Sequence, residues 1–264
     1  MIGLVDADTI YFRAIKCTLN KKNIREIIDH AMYDIMGQNF LTEDELMVAL
    51  KGHGNFRKDL YPQYKSNRPA LPEEEKVALN YAHTYMKTKW RGVEATGMEA
   101  DDLVCIWAYE LRENEEDYMI CGIDKDLKQI PGNHYNYNKK VHDFVDDDTA
   151  HYNLMLQCLT GDSSDNIPGI KGIGPKKAEV LLRGVARRSM WSRVRRAWRE
   201  HGAGDPKLSL QLLSMLKSWD ELKEMKGLCE QKKTEGLIRG SSASESTASP
   251  SQSTQPTSGS EEEM

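Results

Sequence analysis

No two cysteines in this chain are spaced to share a metal or to suggest a disulfide framework. The five (Cys17, Cys105, Cys121, Cys158 and Cys229) are scattered and odd in number, and no C-x-x-C pair occurs. A zinc knuckle is thereby excluded, and a reduced, cytosolic setting is expected. Also missing is any apolar run near the ~20 residues that cross a bilayer. Met1 to Asp6 carries no basic stretch ahead of an apolar one, so no secretory leader is expected. A P-loop is absent too: the spacing from Gly169 to Gly174 fits, but Pro175 stands where the lysine must be. Nor does that stretch match the dinucleotide-binding fingerprint. What remains is a chain of 264 residues, 39% hydrophobic and 29% charged, long enough for one or two domains with a true core.

The formal net charge of −5 conceals an asymmetry. Residues 171–200 hold ten Lys or Arg (Lys171, Lys176, Lys177, Arg183, Arg187, Arg188, Arg193, Arg195, Arg196, Arg199) against Glu179 and Glu200, a net of +8. The remainder is therefore −13. A solvated basic helix would account for such a block. An acidic body with one basic block equally suits a protein that grips a polyanion in one place and holds cations in another.

Apolar runs at Ile2–Val5, Leu46–Leu50, Val93–Ala95 and Tyr118–Ile123 read as strands. Helical spacing recurs over 23–37, 73–90 and 99–113. Strands alternating with helices predict an α/β fold with a parallel sheet. Residues 53–72 are rich in Gly, Pro and Lys/Arg without periodicity, which predicts a mobile segment. From Thr149 the pattern is helical, broken by a Gly-rich run at 161–174. Half of residues 241–264 are Ser or Thr. That stretch cannot bury enough apolar surface to offset its ordering entropy and is expected to be a disordered tail.

Carboxylates gather where strands should end or helices begin. Asp6 and Asp8 follow the first strand, Glu99, Asp101 and Asp102 open a helix, Asp124 and Asp126 follow the fourth strand, and Asp162 and Asp165 lie in the Gly-rich run. In a parallel sheet ligands collect at the carboxyl ends of the strands, so these groups can converge on one cleft. Each also has a structural reading. Thr96-Gly97-Met98-Glu99 has the form of a capping box, Asp124 can cap a helix, and Asp162 and Asp165 can form turns. Together, so many acids need counter-charge to stay ionised. An all-oxygen donor set suits magnesium or manganese better than zinc.

The run Gly161-Asp162-Ser163-Ser164-Asp165-Asn166-Ile167-Pro168-Gly169-Ile170-Lys171-Gly172-Ile173-Gly174-Pro175-Lys176-Lys177-Ala178 is the most informative stretch. Its glycines permit close backbone approach, and Pro175 suits a helix first turn. The free amides of that turn, with Lys176 and Lys177, would form a phosphate site that does not read bases.

This segment resembles the helix–three-turn–helix of the 5′-nuclease (flap endonuclease) family. The resemblance continues, in the family's order, through Leu4-Val5-Asp6, Asn55-Phe56-Arg57-Lys58, Tyr64-Lys65-Ser66-Asn67-Arg68, Met98-Glu99-Ala100-Asp101-Asp102 and Ile123-Asp124-Lys125-Asp126. It runs from residue 2 to about 185 and is most like the bacteriophage 5′–3′ exonucleases.

The resemblance implies a PIN-like nuclease domain at 1–148, its parallel sheet flanked by helices and carrying an arch at 53–90. A helical DNA-binding region would follow at 149–235, with the helix–three-turn–helix at 161–185 and a tail at 236–264. It implies one magnesium ion held mainly by Asp6, Glu99, Asp101, Asp102 and Asp124, and a second held by Asp126, Asp162 and Asp165, manganese being able to substitute. A potassium ion at the Gly-rich turn is implied as well. Lys65 and Arg68 would contact the scissile phosphate, with Tyr64 placed to stack a base. Gly169, Gly172, Gly174, Lys176 and Lys177 would hold duplex DNA. The implied activity is 5′–3′ exonuclease or flap endonuclease cleavage of DNA, in the cytoplasm (of an infected bacterium for a phage protein). A replication protein is the expected partner of the tail. Removal of RNA primers from RNA–DNA hybrids, and flap or junction binding without chemistry, stay open as alternatives. One departure stands out: family members usually carry an Asp at the end of the second strand, where this chain has Leu50-Lys51-Gly52-His53-Gly54. Asp8 or water would then fill that position.

Overall fold

The computed structural model describes residues 1–244. Six strands form one sheet: β1 (Ile2–Asp6), β2 (Leu46–Lys51), β3 (Val93–Ala95), β4 (Tyr118–Cys121), β5 (Gly132–Asn136) and β6 (Val141–Val145). Their order across the sheet is β3-β2-β1-β4-β5-β6. All neighbours run parallel except β6, which returns antiparallel along β5. The central strands read as unbroken apolar runs because both faces of the sheet are covered. Leu4, Ala49 and Ile120 face α5 (Ala100–Glu113). Val5, Val48 and Cys121, each next in sequence to one of these, face α1 (Asp8–Cys17), α2 (Lys21–Asn39) and α4 (Glu73–Lys89).

Beyond β6, helices α6 (Asp147–Thr160), α7 (Pro175–Leu182), α8 (Arg187–Glu200) and α9 (Lys207–Leu213) assemble, and α10 (Trp219–Ser244) packs back against the short α3 (Phe56–Leu60). One apolar core runs without a break from Leu4 and Ile120 through α5 to Met155, Trp198, Leu212 and Leu222. The helical region is therefore joined to the sheet by shared core, not by a linker.

Three expectations need correction. The segment 53–90 does not stand out as an arch. Ala78, Ala82 and Met86 bury α4 against α1 and α2, and 61–72 is the longest stretch there without helix or strand. The capping box of α5 is formed by Glu99 and Asp102, not by Thr96 and Glu99. The helix α10 runs through residue 236 to Ser244, past the expected start of the tail, whose residues 245–264 lie outside the described residues.

Candidate active site

β1 lies between β2 and β4, so Asp6 at its end stands beside the ends of both. A side chain at Gly122, just past β4, would come within 3.5 Å of the Asp6 Cβ. Asp6 is 4% exposed; burial, with Asp8 and Asp124 nearby, pushes its carboxyl up to about 8. Asp8 in the first turn of α1 accepts hydrogen bonds from the Lys51 amide (2.8 Å) and the Tyr11 hydroxyl, and so ties the end of β1 to the end of β2. Burial raises its pKa in spite of these bonds. Of the residues at the end of β2, Gly52 has no room for a side chain: a Cβ there would lie 2.1 Å from the Ala95 carbonyl oxygen.

The β4 end supplies a second group. Asp124 caps the 3₁₀ turn at Lys125–Gln129 by accepting from the Asp126 amide at 2.9 Å. Burial and the Asp124 charge push Asp126 up to about 6, although Gln157 of α6 donates to it. Asp162 accepts from the amide (2.8 Å) and hydroxyl (2.6 Å) of Ser164 and from Lys125 Nζ at 3.1 Å.

The third group lies at the N-terminus of α5. Burial drives Glu99 upward, but Lys65, Arg57 and the Tyr64 hydroxyl outweigh it and hold its carboxyl at about 2. Lys65 Nζ donates to Glu99 and lies 3.5 Å from Asp165, and Arg68 pairs with Asp165. Asp101 is pushed well above the usual range by burial and by Glu99 and Asp102 beside it. Glu99, Asp101, Asp126, Asp162 and Asp165 line one cleft.

Residues 63–68 are fastened across this cleft to the Gly-rich loop. The Lys65 amide donates to the Asp165 carbonyl (2.9 Å), Asn67 to the Ser163 carbonyl (2.7 Å), and Asn166 to the Gln63 carbonyl (2.9 Å).

Asp102, Tyr64 and Gly169 have other tasks than those expected of them. Asp102 is wholly buried and forms a two-pronged ion pair with Arg57 (2.6 and 2.8 Å), while also accepting from the amides of Glu99 and Leu216. No lone pair is left for a metal. Arg57 in turn donates to the carbonyls of Leu212 and Ser214, both at 2.8 Å. Tyr64 is 3% exposed and spends its hydroxyl on Glu99 and Asp165, so its ring is not open for stacking. A Cβ at Gly169 would strike the Thr160 carbonyl at 2.1 Å; this glycine serves to pack two backbones. Gly172 and Gly174, by contrast, border open space. Lys176 and Lys177 are exposed at the first turn of α7, where Lys177 donates to the Gly172 carbonyl. The role of Gln157 and that of Arg57 as the partner of Asp102 were not anticipated, and no local sequence signal marks either, since Arg57 lies 45 residues from Asp102 and Gln157 lies 31 from Asp126.

Divalent cations match the donor set in part. The acids are all oxygen donors, and the raised Asp6, Asp8, Asp101 and Asp126 record like-charge crowding and desolvation that a hard cation would relieve. Yet among the described residues no three acids are gathered closely enough to hold one ion as they stand. Lys65 and Lys125 occupy Glu99 and Asp162 instead. The chemistry fits, with these ammonium groups as the present counter-ions.

The model of the 5′–3′ exonuclease N-terminal resolvase-like domain matches residues 1–153, more than half of the chain. The chain belongs to this 5′–3′ exonuclease family. It is 38% identical over 137 residues to the DNA polymerase I of Rhizobium leguminosarum, covering 48% of this chain and 14% of the polymerase. It is 27% identical over 208 residues to the 5′–3′ exonuclease of Buchnera aphidicola, covering 69% of each. With the flap endonuclease Xni of Shewanella baltica it shares 30% over 147 residues, 52% of this chain and 56% of that protein. The family member thus spans a small part of the polymerase and little more than half of Xni. The bacteriophage T5 5′-exonuclease, solved with bound zinc, has the same fold: TM-score 0.63 at 17% identity, over 87% of this chain and 98% of that one.

Proposed function

We propose that this 5′–3′ exonuclease family member hydrolyses phosphodiester bonds near a 5′ end or 5′ flap of DNA, with two divalent cations, magnesium in the cell. The observation that carries this reading is the cleft lined by Glu99, Asp101, Asp126, Asp162 and Asp165 beside Lys65 and Arg68, with Asp6, Asp8 and Asp124 charged neighbours at the adjoining strand ends. Similar proteins lend support: a bacteriophage T5 flap endonuclease has been solved with DNA and metal ions, at TM-score 0.58. The cations would be held by these acids, Asp102 excepted, and would supply an activated water and charge neutralisation at the phosphate.

The protein's own part is positioning. Lys65 and Arg68, now paired with Glu99 and Asp165, sit where a phosphate entering the cleft would exchange with those carboxylates as their partner. The first turn of α7, with Lys176 and Lys177, grips backbone a short way off. A potassium ion at the Gly-rich turn belongs to the same proposal.

The test is cleavage of a labelled 5′ flap beside a blunt duplex and an RNA–DNA hybrid, in magnesium and in EDTA. Magnesium-dependent release of short 5′ products, lost in Asp124→Asn with DNA binding kept, is the expected result. Preference for the hybrid would redirect the role to primer removal. Tight flap binding without cleavage in magnesium or manganese would overturn the reading.

A further inference from the structure

Helix α8 lies outside the span matched by the family model and takes no part in the cleft described above. Its sequence, RRSMWSRVRRAWRE, divides cleanly at 100° per residue. Met190, Val194, Ala197 and Trp198 are buried on one side. Arg188, Arg195 and Arg199 fall within a ~40° sector on the opposite side, with Arg196 at its flank, and all four are exposed. Of the ten Lys and Arg between 171 and 200, only Arg187 forms an ion pair among the described residues, with Asp148 at 3.2 Å. Lysines and arginines elsewhere in the chain are widely paired with acids. This face therefore keeps its charge uncompensated.

Its direction is also fixed. Arg187 meets Asp148 at the start of α6, and Trp198 donates to the Cys158 carbonyl (2.9 Å) near its end, so the two helices run parallel. The far end of α6 leads directly into Asp162 and the Gly-rich loop. Arg195, Arg196 and Arg199 are thus the members nearest the cleft, and Arg188 the most distant. Arg193 on the flank donates to the Leu181 carbonyl of α7 (3.0 Å), locking α8 to the helix that carries Lys176 and Lys177.

We propose that Arg188, Arg195, Arg196 and Arg199 form a phosphate track for duplex DNA, extending the grip of the Gly-rich turn away from the cleft. This rests on the nuclease reading and assigns the double-stranded part of the substrate to α8. The stripe spans ~16 Å along the helix axis, enough for several successive phosphates of one strand. Guanidinium groups without an acidic partner meet phosphates at no cost in broken ion pairs.

The experiment is DNA binding by the full chain in EDTA, from 50 to 200 mM salt, to a duplex-bearing flap and to a single strand. The variants are Arg188→Gln/Arg195→Gln/Arg196→Gln/Arg199→Gln together and Lys176→Ala/Lys177→Ala. For the fourfold variant the log–log salt slope should fall by about 3, and affinity for the duplex-bearing flap at 0.1 M salt by ~100-fold or more. Arg195→Gln and Arg199→Gln singly should each lower the slope by about 1, which keeps the test valid if the fourfold variant misfolds. An unchanged slope with the lysine variant impaired overturns the track and leaves the nuclease reading in place. Loss confined to the single strand, or equal on both DNAs, also overturns it. No DNA affinity in the unaltered protein brings down the nuclease reading and the track with it.

Discussion

Replacing Asp102 by Ala should cost the fold about 3–5 kcal/mol, although Asp102 lies in an acidic motif where losing a charge would ordinarily relieve repulsion. Asp102 is 0% and Arg57 3% exposed. Truncation strands a guanidinium in the interior, and it orphans the Glu99 and Leu216 amides that Asp102 satisfies. With a urea m-value of ~3 kcal/mol per molar, the midpoint in EDTA should drop by about 1–1.7 M. Asp101→Ala is the internal control. Burial, with Glu99 and Asp102 beside it, raises its pKa and so disfavours its charged form in the fold, and its loss should leave the midpoint within about 0.5 M or raise it. Leu at 102 with Met at 57 should recover much of the stability, since a buried pair is often replaceable by apolar groups of similar volume. An Asp102→Ala midpoint equal to or above the unaltered protein's, together with weakened manganese binding by calorimetry, would refute the reasoning and make Asp102 a metal ligand.

Other outcomes follow from the same structure. His134 is 5% exposed, donates from Nε2 to the Ile130 carbonyl (2.8 Å), and has its pKa lowered by burial to about 4. Its contribution is fully present above pH ~6.5 and is lost as pH falls from there toward 4, roughly 2 kcal/mol by pH 5. Urea midpoints at pH 7 and 5 should therefore differ less in His134→Gln, and identical pH dependence would exclude this histidine. Lys65→Met should raise manganese affinity several-fold while reducing cleavage, because Lys65 is the present counter-ion of Glu99 and Asp165; calorimetry showing weaker binding would contradict that. Gly169→Ala should destabilise by ~3 kcal/mol or more through its 2.1 Å clash, whereas Gly174→Ala, facing open space, should stay within about 1 kcal/mol in the same melting experiment.

The elements readable in the sequence were those whose signal is local. β1, β2 and β4 are short apolar runs because two helical layers cover them, and α2, α4 and α5 carry a 3.6-residue stripe. Helix α1 carries a stripe of Ile10, Tyr11, Ala14 and Ile15, but it is only ten residues long and opens on the Asp8 of the acidic motif, which masks its start in the sequence. β6 (VHDFV) is the edge strand, four of its five residues exposed, and β5 (GNHYN) beside it is largely polar, so neither shows an apolar run. In the site, strand-end placement brought most of the acids into view. Asp102 could not be separated from Asp101 by sequence, because its partner Arg57 lies 45 residues away and the amide of Leu216 lies 114 away. Likewise, residues 61–72 look unconstrained until the loop at 163–166 meets them.

The Arg57 contacts bear on how the chain can be divided. Arg57 and Asp102 belong to the sheet half, but Leu212, Ser214 and Leu216, which complete their hydrogen bonding, come from the end of α9 and the connection to α10. A fragment ending near residue 153, where the family model stops, would keep the buried charges and lose the groups that satisfy them. It would also uncover the α5 side of the core. Proteolysis should accordingly release no stable N-terminal half, and the described residues should melt as one cooperative unit.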